Sequence, residues 1–124
     1  MSDSIICERA LEFACRAVKL AERVWDRGPG ARHIATQLIR CGTSIGANAE
    51  EAEEAQTKPD FIAKQSISRK EAREARYWLR LAIRAGIVTT DEAQWELSEV
   101  NQLLAMVVSS IRTARSSSQR GRGI

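Results

Sequence analysis

Hydrophobic side chains recur at steps of three and four along four stretches of the chain, the period of amphipathic helices. The first stretch runs from Ile5 to Asp26, with Ile6, Ala10, Phe13, Ala17, Leu20 and Val24 on one face. Ser4 stands where an N-cap would, Glu8 suits the positive end of the helix dipole, and Gly28-Pro29-Gly30 closes the element with a turn. The second runs from Ala31 to Gln56, with Ile34, Leu38, Cys41, Ile45, Ala49 and Ala52 as its apolar stripe. Gly42 and Gly46 lie on one flank of that stripe. Each glycine in a helix interior costs about 1 kcal/mol relative to alanine, so two of them one turn apart predict close packing against a neighbouring helix.

Thr57-Lys58-Pro59-Asp60 breaks the pattern and opens a third helix. Thr57 and Asp60 have the spacing of a capping box, and Pro59 is tolerated in a first turn whose amides lack intrahelical partners. This helix is expected to reach Ala85, with Gly86 as its stop. Thr89-Thr90-Asp91-Glu92 caps a fourth, running to about Arg115 with Leu97, Val100, Leu104, Val107 and Ile111 on its apolar side. Residues 116–124 are serine- and glycine-rich and are expected to form a disordered basic tail. Four helices of similar length on short connections predict an all-α fold over residues 1–115, an antiparallel up-down-up-down four-helix bundle.

The third helix carries more than a core face. Phe61, Ala72, Ala75, Leu79 and Ala82 make one seam, but Ile67, Trp78, Leu81 and Ala85 widen the apolar arc past what one bundle seam needs. Either the rest of the chain covers the surplus or a second protomer does; Trp78, Leu81 and Trp95 are the interface candidates, and Trp25 raises the same question. The opposite face is a stripe of Arg69, Arg73, Arg76, Arg80 and Arg84, within about 80° of the helical wheel and along about 22 Å of axis. Five guanidinium groups so spaced could follow a phosphate backbone, RNA or DNA. They could also be a solvated face, partly paired with Glu50, Glu51, Glu53 and Glu54. With Tyr77 the nearest aromatic, nucleic-acid contacts would fall mainly on phosphate.

Composition narrows the classes. The 124 residues make one domain, and alanine-rich sequence with 5% aromatics and two prolines disfavours a sheet. Arg120 and Arg122 account for two of the +3 net charge, leaving the body near +1, so any basic surface must come from charge segregation. Asp3 and Glu8 stand where a secretory signal would be basic and then apolar, and the longest uncharged run, Val100 to Ile111, has 12 residues against the about 18 needed to span a bilayer. A cytoplasmic protein without a membrane segment is expected. Cys7, Cys15 and Cys41 show no CxxC spacing and are taken as reduced, small apolar residues.

Catalytic chemistry finds little footing. His33 is the only histidine, no metal-ligand spacing occurs, and Cys41 lies about 12 Å along the helix from His33, too far for a nucleophile and base. Arg27 and His33 have a spacing similar to the Arg–His element of HEPN-type ribonucleases, but here it crosses the Gly28-Pro29-Gly30 turn. Glu71 and Glu74 border the apolar arc of the third helix; paired with Arg40 or Asn48 they would fix helix register. No catalytic residue, metal or cofactor is expected.

The run from Gln37 to Asn48, with its Ser44-Ile45-Gly46-Ala47-Asn48 core followed by Glu51 and Ala52, resembles the central motif of a bacterial four-helix-bundle family. These are the S23, or 23S rRNA-intervening sequence, proteins. Asp60-Phe61, Glu71-Ala72, Tyr77-Trp78-Leu79 and Ala85-Gly86-Ile87 continue the likeness. The resemblance implies a ring-like homopentamer and no catalytic residue set. It makes Gly42, Gly46, Asn48, Glu51 and Glu71 the structural motif, with Asn48 and Glu51 as a polar register lock. Some relatives are encoded within intervening sequences of ribosomal RNA genes. Others are accessory proteins of diversity-generating retroelements, which bind a reverse transcriptase and nucleic acid. The implied function is a non-enzymatic oligomeric scaffold with RNA or DNA as partner; the alternative is a protein-interaction or structural module without nucleic-acid binding.

Overall fold

A computed structural model describes residues 3–122, and side chains over 5–117. Helix α1 spans Asp3–Val24 and ends in a 3-10 turn, Trp25–Arg27; α2 spans Pro29–Glu53, α3 Lys58–Arg84 and α4 Thr90–Arg122. Among the described residues there is no strand. Each helix packs on the next, and α4 returns to α1, while among the described residues neither diagonal pair comes within 8 Å, Cα to Cα. With such short connections, consecutive helices run antiparallel and close an up-down-up-down four-helix bundle.

The ends follow local chemistry. Thr57 Oγ1 accepts a hydrogen bond from the Asp60 N–H at 3.2 Å, and Thr89 Oγ1 accepts from the Glu92 N–H at 3.1 Å. At the close of α3, Gly86 takes φ +74°, so its N–H reaches Ile83 O at 3.1 Å and the Ile87 N–H reaches Ala82 O at 2.9 Å. That pair of bonds is a Schellman motif, which needs the left-handed residue that glycine supplies. Two ends differ from expectation. Ser4 lies inside α1, which already includes Asp3, so it is not the N-cap. Helix α4 passes Arg115 and runs to Arg122. Each residue added to an existing helix gains a backbone hydrogen bond, and no proline stands in 116–122 to stop it. Gly123 and Ile124, the end of the expected tail, lie outside the described residues.

The core is centred on Phe13, Leu20, Ile45, Leu79, Leu103 and Val107, all fully buried. Alanines fill the space between them, which lets the helices approach closely. A Cβ on Gly42 would stand 3.1 Å from Ala17 Cβ and 3.5 Å from the Phe13 ring, and one on Gly46 would stand 3.3 Å from Ala10 Cβ. The two glycines therefore serve the α1–α2 contact. On the other side of α2, the buried Ser68 hydroxyl of α3 donates to Ile45 O at 2.9 Å, locking the α2–α3 register from the α3 side.

Candidate nucleic-acid interface

Two seams of the bundle neutralise their arginines. Between α1 and α4, Arg9 Nε donates to Glu99 at 2.7 Å and its Nη2 to Gln102 at 2.6 Å. Arg27 grips Glu92 with both Nη atoms, at 2.7 and 2.8 Å, and also donates to Ile87 O at 2.9 Å. Between α2 and α3, Arg40 reaches Glu71 at 3.2 Å and Glu74 at 2.6 Å. The hydrogen bond from Arg40 holds the Glu74 carboxyl below its ordinary range, and the one from Arg27 does the same for Glu92.

The α3–α4 seam is different. Arg69, Arg73, Arg76, Arg80 and Arg84 have no carboxylate within ion-pair distance among the described residues. Arg73, Arg80 and Arg84 are exposed, Arg69 and Arg76 half-buried. The pairing with Glu50, Glu51, Glu53 and Glu54 weighed from sequence is absent among the described residues: those side chains sit at the end of α2, and Glu53 instead accepts a contact from Cys7 Sγ at 3.3 Å. On α4, Val108, Arg112 and Arg115 lie beside Arg69, and they share about 80° of the helical wheel with Gln94, Leu97, Asn101 and Leu104, an arc without an acid. Arg69, Arg112 and Arg115 line one concavity of about 350 Å³ with Val108 and Ile111. Arg112 and Arg115 stand on a second helix, outside the period that marks the α3 stripe. Their spacing from Val108, four and then three residues, was the available signal.

The other candidates scatter. Asn48 Nδ2 donates within its own helix, to Ser44 O and Ser44 Oγ, both at 2.9 Å, and Glu51 is exposed, without a partner among the described residues. These two residues do not bridge helices; Arg40, Glu71, Glu74 and Ser68 do. Trp78, Leu81 and Trp95 pack against the chain's own core while staying partly exposed. Arg16 covers the Trp95 ring at 4.4 Å, whereas Trp78 meets His33 and Tyr77 edge-on, with centroids 5.6 and 5.2 Å away. Arg27 is thus committed to α4 and His33 to α3, so they form no joint site. Cys41 and Cys7 are buried, and Cys15 is exposed on α1. Burial pushes the Cys41 thiol up to about 12.

A larger concavity, about 500 Å³, lies where Ile6, Phe61 and Met106 meet the connection between α2 and α3. Lys58 is its charged lining residue, with Nζ 2.6 Å from Ser117 Oγ. Among the described residues no group of three or more histidine, cysteine, aspartate or glutamate side chains could hold a metal, and no helix is long and apolar enough to cross a membrane.

Residues 2–109 match the sequence pattern of the 23S rRNA-intervening sequence protein family. The chain belongs to that family. A solved relative is a protein of unknown function from the S23 ribosomal protein family of Bacteroides thetaiotaomicron. It is 36% identical, with 90% of this chain and 99% of that one covered at a TM-score of 0.82. No curated protein matches the chain. Neither the family description nor that of the relative assigns an enzymatic activity. The family's all-α fold is the bundle described above.

Proposed function

We propose that this family member is a non-enzymatic, homo-oligomeric scaffold that binds RNA or DNA along the α3–α4 seam. The observation that carries the reading is charge segregation. Arg9, Arg27 and Arg40 are each paired within the chain, whereas Arg69, Arg73, Arg76, Arg80 and Arg84 are left without carboxylates among the described residues. A face of unneutralised guanidinium groups attracts a polyanion whatever the small net charge of the whole. The partly exposed Trp78 and Leu81, beside the exposed Ile67 and Tyr77, support self-association, with the pentamer implied by the family resemblance as the expected ring. A reverse transcriptase is the protein partner that the same resemblance puts forward. The free thiols of Cys15 and Cys41 suit the reducing cytoplasm, the compartment we propose.

A salt titration of RNA and DNA binding tests the reading. Affinity should fall steeply with salt, and Arg73→Ala with Arg80→Ala should lower the slope by about 2. No affinity at low salt would leave the alternative, an interaction module without nucleic acid.

A further inference from the structure

We infer that the concavity between α3 and α4 where Arg69, Arg112 and Arg115 meet is a phosphate seat, the anchoring point of the arginine face. Three features distinguish it from a generally basic surface. Arginines of two helices, Arg69 of α3 and Arg112 and Arg115 of α4, line one hollow of about 350 Å³. None of the three arginines has an ion-pair partner among the described residues, so no carboxylate must be displaced before an anion enters. Val108 and the buried Ile111 form the apolar part of the lining. An apolar wall keeps water from one side of the ligand and strengthens the charge–charge attraction across the hollow.

The donor set selects the ligand class. Arginine forks match the oxygens of phosphate in paired hydrogen bonds, and beside them the lining holds no carboxylate to draw a cation, only the Ser116 hydroxyl. On the nucleic-acid reading, from which this inference takes its natural ligand, the seat holds one backbone phosphate and sets where the strand starts along Arg73, Arg76, Arg80 and Arg84. A free phosphorylated compound would use the same chemistry, and the test separates the two sources.

Calorimetry on the full chain with inorganic pyrophosphate, beside a single-stranded RNA titration, provides the test. Pyrophosphate should bind the wild type, and Arg112→Ala with Arg115→Ala should weaken it at least tenfold. Lys58→Ala, at the other concavity, should leave it within about twofold. The paired change Arg112→Lys, Arg115→Lys keeps the charge but loses the forks, and should bind pyrophosphate as weakly as the alanine pair. Equal binding by the lysine pair would reduce the seat to diffuse positive potential and overturn it, as would no pyrophosphate binding by the wild type. Pyrophosphate binding that depends on Arg112 and Arg115, with no RNA binding, upholds the seat, overturns the nucleic-acid reading and assigns the site to a free phosphorylated compound. RNA binding that responds to Arg73 and Arg80 but not to Arg112 and Arg115 sinks the seat alone.

Discussion

Gly42 shows how much one absent methyl group can decide. Alanine there would gain about 1 kcal/mol of helix propensity, but its Cβ would lie 3.1 Å from Ala17 Cβ. Both atoms are fixed directly to helix backbones, so neither can swing aside and α1 must move from α2. Overpacking of this kind costs about 1–3 kcal/mol. Gly42→Ala should therefore lower stability by about 1 kcal/mol net, and Ala17→Gly in the same chain should recover part of the loss. Urea unfolding of the two single variants and the double variant measures the coupling, expected at about 2 kcal/mol, the overpacking that the second change relieves; strictly additive effects would mean that the contact is not what the glycine serves. The cysteines provide a second check. With the Cys41 thiol near 12, only about one in ten thousand is ionised at pH 8. Cys15 should react with a thiol reagent within the mixing of the native protein, and Cys41 only as fast as the bundle opens. Rapid labelling of Cys41 in the folded state would contradict its burial.

At the level of elements, the two cross-helix ion-pair sites make stability depend on pH. Glu74 and Glu92 are held below the usual carboxyl range by Arg40 and Arg27, so folding favours their charged forms. Their contribution is fully present above the unfolded carboxyl value of about 4.3 and is lost as pH falls through the lower folded values. Arg27→Gln with Arg40→Gln should lower the melting temperature at pH 7, and the difference from wild type should shrink toward pH 2. A gap that stays constant from pH 7 to 2 would assign the loss to packing instead. The helices themselves were legible in the sequence because their signals are local: a threonine before Pro59, a glycine after Ala85, apolar residues at helical spacing. The polar contacts were less so. Asn48 can satisfy its amide on Ser44 one turn back, which competes with any bond across the seam, and a wheel cannot say which bond wins. The arginine face was half legible: the α3 stripe has a simple period, while Arg112 and Arg115 join it only once α4 is laid beside α3.

Across the whole molecule, assembly and nucleic-acid binding make opposite demands on salt, and this separates them. The apolar flank of α3, with Ile67 40% exposed beside the partly exposed Trp78 and Leu81, would associate by burial of apolar surface. Burial of that kind is indifferent to moderate salt, while phosphate contacts weaken through counterion release. Raising sodium chloride from about 50 to 500 mM should leave the mass measured by light scattering unchanged and abolish most of the RNA affinity. A rival assembly, in which Glu50, Glu51 and Glu54 of one copy, unpaired among the described residues, meet the arginine face of the next, would be held by charge. Two different patches joined head to tail are what closes a ring, so symmetry does not exclude it. That assembly would fall apart over the same salt range, and RNA would compete with it. Ile67→Glu decides the matter. It places a charge on the apolar flank at an exposed position that the core does not need, so helicity should be unchanged while the mass drops toward that of one chain. An oligomer that survives Ile67→Glu but dissolves in salt would move the interface to the acidic end of α2, and the arginine face would then be an assembly surface before it is a nucleic-acid one.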